Sequence, residues 1–185
     1  MNDLKKKPSS AHSESEREGR SARIRQVVSV GICAALAMVL SYVEHLVPPI
    51  YPVLPAIKCG LANVAVVFAL YRLGDRSAAG IALLKVILTA LLFGSFVSLA
   101  YSATGAALSL VAMLLLKRID RFSPVGVSVV GGVMHNAGQI IVAALMVRTP
   151  EIALYFPILA VTGTLAGIVV GLIGATAVKH IRTDK

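Results

Sequence analysis

From Val27 onward the chain runs through six apolar stretches, and the connections between them alternate between basic and charge-poor. The stretches are Val27–Val47, Ile57–Leu73, Ser77–Phe93, Ser98–Leu116, Pro124–Val147 and Tyr155–Val178. Each is close to the roughly 17–25 residues that carry a helix across a hydrocarbon core. Hydrophobic residues make up 57% of the chain and mean hydropathy is +0.82, against about 45–50% apolar residues in an ordinary soluble domain. A membrane barrel would show period-2 alternation in segments of about ten residues, whereas these stretches are continuously apolar and rich in Ala, Gly and Leu. The expected fold class is therefore all-α integral membrane, with six transmembrane helices.

Lysines and arginines set the expected orientation. Lys5, Lys6, Lys7, Arg17, Arg20, Arg23 and Arg25 precede the first span; Arg72 and Arg76 follow the second; Lys117, Arg118 and Arg121 follow the fourth; Lys179, Arg182 and Lys185 follow the sixth. The connections 48–56 and 94–97 carry none, and the fifth carries only Arg148. By the positive-inside rule both termini are cytoplasmic and the odd connections face outward. Five or seven spans would spoil this alternation. Topology thus accounts for the net charge of +9, and a nucleic-acid partner is not called for.

Residues 1–25 are polar, with the Ser/Glu patch Ser13-Glu14-Ser15-Glu16, and read as a disordered basic cytoplasmic tail. The membrane domain is expected over 26–180, with a short cytoplasmic tail at 181–185. The first apolar stretch is too long for the core of a cleavable signal and acts as an anchor. Cys33 and Cys59 fall inside helices without CxxC spacing, so buried thiols are expected and neither a disulfide nor a metal site is suggested.

Small residues mark close helix packing. Gly163, Gly167 and Gly171 recur every four residues, a double GxxxG that allows close backbone approach. Contact within the bundle is the expected use, ahead of homodimerisation. Gly31 and Ala35 share that spacing near the inner end of the first span, a face suited to docking a membrane partner or to packing inside the bundle.

Polar groups inside the spans are the main functional signal, because an ionisable group at the bilayer centre costs at least about 2.5–3.5 kcal/mol on insertion scales. Glu44 and His45 lie in the outer turn of the first span, Lys58 and Asn63 in the outer part of the second, and Lys85 midway along the third. His135 and Gln139 lie about 17 and 22 Å from the start of the fifth span at 1.5 Å per residue. His135, Asn136 and Gln139 share one helix face through i,i+3 and i,i+4 spacing. All three both donate and accept hydrogen bonds, which suits recognition of a polar ligand. Interhelical bonding is the alternative, worth only about 0.6 kcal/mol per bond in one measured case. It does not by itself call for Glu44, Lys58 and Lys85 at compatible depths. Glu44 and Lys58 lie near the interface, where long side chains also snorkel to water, so both readings stand for that pair.

The first outward connection, Pro48-Pro49-Ile50-Tyr51-Pro52-Val53-Leu54-Pro55, has four prolines in eight residues. Such a segment is stiff and non-helical. Its apolar character and its position between Glu44 and Lys58 favour a lid over the bundle, with a rigid turn as the plainer alternative.

The runs Pro55-Ala56-Ile57-Lys58-Cys59-Gly60-Leu61-Ala62-Asn63, Gly94 through Tyr101-Ser102 to Gly105-Ala106, and Ser128-Val129-Val130-Gly131-Gly132-Val133-Met134-His135-Asn136-Ala137-Gly138-Gln139 resemble a bacterial family. It is called Gx transporter, and also heptaprenyl diphosphate synthase component I. The resemblance spans about residues 25–180; Cys59 stands where Leu is expected. It implies kinship with the substrate-capture (S) components of energy-coupling-factor transporters. These are six-helix proteins of the bacterial cell membrane that bind a small molecule near the outer face beneath the first loop. They work with a transmembrane coupling protein and two ATPases. Lys58, Asn63, Glu44, Lys85, His135, Asn136 and Gln139 are the candidate ligand-binding residues, and Gly31 and Ala35 the candidate docking residues.

The family's second name raises prenyl diphosphate synthesis. That chemistry needs clustered aspartates to hold Mg²⁺, which takes oxygen ligands. Here Asp3, Asp75, Asp120 and Asp184 are scattered and none falls within a span. Catalysis by this chain alone is not expected, and no cofactor is implied. A non-catalytic membrane role beside a prenyl synthase, or in quinone-linked redox chemistry with redox partners, is the second reading. The chain has no GxxxxGK[ST] phosphate loop, so energy for transport must come from partner ATPases or an ion gradient. A proton-coupled carrier using Glu44 and His135 ranks third, because the six short spans show no clear inverted repeat. Five Phe, five Tyr and no Trp argue weakly against a large flat ligand.

Overall fold

The computed structural model describes residues 9–46, 60–93, 96–119 and 121–181, with backbone alone at 9–13, 45 and 93. The proline-rich segment, Lys58 and Cys59 lie outside the described residues, so the expected lid does too. Among the described residues there are helices and no strands. They are α1 (Ser9–Leu46), α2 (Asn63–Arg72), α3 (Asp75–Phe93), α4 (Phe96–Lys117), α5 (Pro124–Val147) and α6 (Phe156–His180), with a 3-10 turn at Pro150–Tyr155 before α6.

Four segments are long and apolar enough to cross a membrane: Glu14–Glu44, Phe96–Lys117, Pro124–Val147 and Pro150–His180. The expectation of six full spans is met only in part. α2 has 10 residues, about 15 Å at 1.5 Å each, and so is half the length of a crossing. The expected second span is shortened because a turn precedes it. Gly60 adopts φ +66°, a left-handed conformation open to glycine, and its carbonyl accepts from Asn63 N at 2.8 Å. α3 is 19 residues long but carries Asp75 and Arg76 in its first turn and Lys85 midway, and it falls outside that set of four.

α1 begins at Ser9 and runs to Leu46, so the described residues 9–25 share one helix with the first span. Residues 14–28 are exposed, and this stretch is carried by propagation from an existing helix, which needs no new nucleus. Glu16 and Arg20 add an i,i+4 pair in the favourable order.

α2 is the centre of the core. Val64 through Leu70 are all buried, as befits a helix apolar on every side. Around it lie Ala37 of α1, Ala78 and Ile81 of α3, Met113 of α4, Val127 of α5 and Val170 of α6. α5 is clasped on two sides through glycine. A Cβ on Gly167 of α6 would lie 2.6 Å from Val129 Cα, and one on Gly171 would lie 2.8 Å from Val125 Cα. On the other side, a Cβ on Gly138 would lie 2.8 Å from both Gly105 Cα and Thr104 O of α4. The double GxxxG of α6 therefore packs inside the bundle, as expected.

α1 lies at the edge, against α2 and α3. Cys33, Ala34 and Ala37 face inward. Gly31 and Ala35 are exposed, and a Cβ on Gly31 would meet nothing within 4 Å. This small-residue face takes no part in internal packing.

Polar contacts gather at the end of the bundle that holds the start of α3 and the ends of α2, α4 and α6. Lys117 Nζ is 2.5 Å from Asp75 Oδ1, donates to Leu70 O at 2.7 Å and sits 5.8 Å from the centre of the Tyr71 ring. The Arg72 guanidinium caps α6 by donating to Val178 O through Nε at 2.8 Å and through Nη2. These contacts tie α2, α3, α4 and α6 together at the end opposite the polar patch of α5.

Candidate ligand-binding site

Toward the other end, the helices part around a cavity of about 740 Å³, within the range of about 300–1,000 Å³ typical of small-molecule sites. α1 contributes Ser41 and Glu44; α2 contributes Asn63; α3 contributes Lys85 and Thr89. From the other half come Ser98, Tyr101 and Ser102 of α4, His135, Asn136 and Gln139 of α5, and Leu159 and Thr162 of α6. Val86, Ile140 and Ala143 add apolar wall. Six of the seven residues expected to bind ligand thus converge here: Glu44, Asn63, Lys85, His135, Asn136 and Gln139. Lys58 lies outside the described residues. Gly31 and Ala35 are elsewhere, on the outward face of α1.

Local geometry shows how each polar group is held. Lys85 Nζ donates to Asn63 Oδ1 at 2.6 Å, which places the ammonium at the first turn of α2. The Glu44 carboxylate accepts from Leu61 N and lies within electrostatic reach of Lys85. The turn at Gly60 is what presents Leu61 N and Asn63 to these two side chains. Among the described cavity residues, Glu44 and Lys85 supply an acidic and a basic side chain.

On α5, His135 fits because its neighbour is glycine. A Cβ on Gly105 would lie 3.0 Å from His135 Cε1 and 3.1 Å from Nδ1. Asn136 is buried and donates through Nδ2 to Leu159 O of α6 at 2.6 Å, so its amide nitrogen bridges two helices. Gln139 differs: its Oε1 is buried and has no hydrogen-bond partner among the described residues, and the same holds for Thr89 Oγ1. A buried acceptor without a partner costs about 1–3 kcal/mol, so these two oxygens are where a ligand's donors gain most.

Ser41, Thr89, Ser98 and Thr162 escaped the sequence reading, and Tyr101 and Ser102 entered it only within a run that carries the family resemblance. Small hydroxyls are common in membrane helices and carry little signal alone. The i,i+3 and i,i+4 spacing of Ser98, Tyr101 and Ser102 did mark one polar face of α4. Among the described residues, no group of three or more His, Cys, Asp or Glu side chains could hold a metal ion.

Among the described residues, an all-helical architecture, segments long and apolar enough to span a bilayer and a polar-lined cavity between helices define a helical membrane protein with an internal cavity. Within that class, the chain belongs to the heptaprenyl diphosphate synthase component I family, whose model matches residues 33–177. The match contains every described residue that lines the cavity. No curated protein and no solved structure matches the chain.

Proposed function

We propose that this chain is the membrane-embedded substrate-binding subunit of a multi-subunit transporter, comparable in role to an S component, and that it captures a small molecule in the cavity. The observation that carries this reading is the convergence of Glu44, Asn63, Lys85, His135 and Gln139 on one cavity of about 740 Å³, with two buried oxygens left unpartnered. Interhelical bonding alone would have paired those oxygens. The reading includes six crossings in a bacterial cell membrane, with both termini cytoplasmic. The contacts of Lys117 and Arg72 then close the cytoplasmic end while the cavity lies toward the outside. The exposed Gly31/Ala35 face of α1 is the docking surface for a transmembrane coupling protein that works with ATPases.

The family's description favours one alternative: a non-catalytic membrane component beside a prenyl diphosphate synthase or a quinone-linked redox chain. The two readings differ in partner. Purification from the native membrane followed by protein identification discriminates between them. Co-purifying ATPases with a polytopic coupling protein are expected. A soluble prenyl synthase or redox proteins in their place would overturn the transporter reading.

A further inference from the structure

Two sets of helices meet around the cavity, and each is held together in its own way. α4, α5 and α6 press backbone on backbone. A Cβ on Gly138 would lie 2.8 Å from Gly105 Cα, one on Gly163 would lie 2.8 Å from Gly132 O, and one on Gly167 would lie 2.6 Å from Val129 Cα. Approach this close leaves no side chain between the helices that could rearrange, so the three move as one body. The bond from Asn136 Nδ2 to Leu159 O stays within the same set. α1, α2 and α3 are joined by polar contacts. Glu44 accepts from Leu61 N and Lys85 Nζ donates to Asn63 Oδ1 at 2.6 Å, so α1 and α3 both hold the start of α2. Gln26 Nε2 of α1 donates to Ser77 Oγ of α3 at 3.3 Å.

The two sets are fastened to each other at the end away from the cavity. There Lys117 of α4 meets Asp75 and Leu70 O, and Arg72 of α2 meets Val178 O of α6. Beside them a Cβ on Gly174 of α6 would lie 2.9 Å from Val67 Cγ1 of α2. Lysine and arginine reach these partners on long stems, which follow a small rotation without letting go. Toward the other end, Asn63 of α2 and Leu159 and Thr162 of α6 line the cavity of about 740 Å³. The seam between α2 and α6 is therefore closed at the tied end and opens into the cavity at the other, while α3 and α4 follow one another in the chain at the cavity end.

We infer that the bundle is a hinged clamp: α1–α3 turns as a unit against α4–α6 about the contacts of Lys117 and Arg72, and the cavity opens along the α2–α6 seam. Hinges of this kind keep a few contacts while packed units stay rigid. The inference rests on the ligand-binding reading only for the purpose of the opening, which is to admit the bound molecule.

The test uses the full chain in detergent, with Cys33 and Cys59 replaced by alanine and spin labels on pairs of exposed positions, each variant checked by melting. Val43→Cys with Ile158→Cys spans the seam at the cavity end. Val28→Cys with Ile173→Cys spans it at the tied end, and Leu145→Cys with Ile158→Cys lies within α5 and α6. Double electron–electron resonance should give a distance distribution for the first pair broader than for the other two by about 2 Å or more, the size of rearrangement that hinge closure produces. Equal widths in all three pairs would overturn the clamp, since the cavity would then be rigid. Equal breadth in both α1–α6 pairs would overturn it too, because α1 would be loose along its length, and a broad Leu145/Ile158 distribution would overturn the rigid α4–α6 body. The measurement needs no ligand, so each of these failures leaves the binding reading standing.

Discussion

Three glycine-to-alanine substitutions should separate helix faces that look alike in sequence. In Gly167→Ala the new Cβ would lie 2.6 Å from Val129 Cα, 2.8 Å from Ser128 O and 3.0 Å from Val129 N. Carbon atoms prefer a separation of about 3.5–4.0 Å, so α5 and α6 must part by roughly an ångström, and every obstructing atom is backbone that no rotamer change can move. Overpacking of this kind costs about 1–3 kcal/mol. At about 2–4 °C per kcal/mol for a chain of this size, the melting temperature should fall by about 2–12 °C. In Gly131→Ala the nearest atoms are Met113 Cγ and Sδ, both at 2.8 Å. A methionine side chain yields easily, so the loss should stay below about 1 kcal/mol. Gly31→Ala meets nothing within 4 Å and should change stability by no more than about 0.5 kcal/mol. Differential scanning fluorimetry of the three variants in one detergent gives the ranking. Equal melting temperatures for Gly167→Ala and Gly31→Ala would refute the assignment of the α6 stripe to internal packing.

Gly31→Leu or Ala35→Leu should leave melting and ligand binding intact while a membrane partner no longer co-purifies, because the added bulk blocks close helix approach; retention of the partner would show that it docks elsewhere. Gln139→Leu should weaken ligand binding by about 5- to 150-fold, equivalent to 1–3 kcal/mol. Asn136→Leu should act first on stability, since it removes the bond from Nδ2 to Leu159 O; the same titration and melting series tells the two apart, and wild-type affinity in Gln139→Leu would retire that contact. With Cys33 and Cys59 replaced, a cysteine at position 51 should react with an impermeant reagent in intact cells and one at position 10 should not. Labelling at position 10 would reverse the proposed orientation.

Membrane character was legible from local features of the sequence. Apolar stretches long enough to cross hydrocarbon and basic residues gathered in alternate connections are properties of single segments, and they need no knowledge of what packs against what. The candidate site was partly legible for the same reason. An ionisable or amide side chain in a hydrocarbon environment demands a partner wherever it falls, so Glu44, Asn63, Lys85, His135 and Gln139 stood out individually. Thr89 did not, because one hydroxyl in a helix can return its bond to the preceding turn; that its oxygen is left unpartnered is a fact of the assembled bundle.

Tertiary structure decided the rest. Gly31/Ala35 and Gly163/Gly167/Gly171 share a four-residue spacing, yet the first pair is exposed and the second set presses on α5. Spacing defines a face on one helix, while the neighbour that covers it comes from elsewhere in the chain. Asn136 and Gln139 likewise share a helix face, but only one of them has Leu159 O within reach. The late start of α2 depends on the turn at Gly60, which Glu44 holds through Leu61 N from a different helix. Hydrophobicity and charge act on each segment as it meets the bilayer, whereas pairing and burial arise only when distant segments meet.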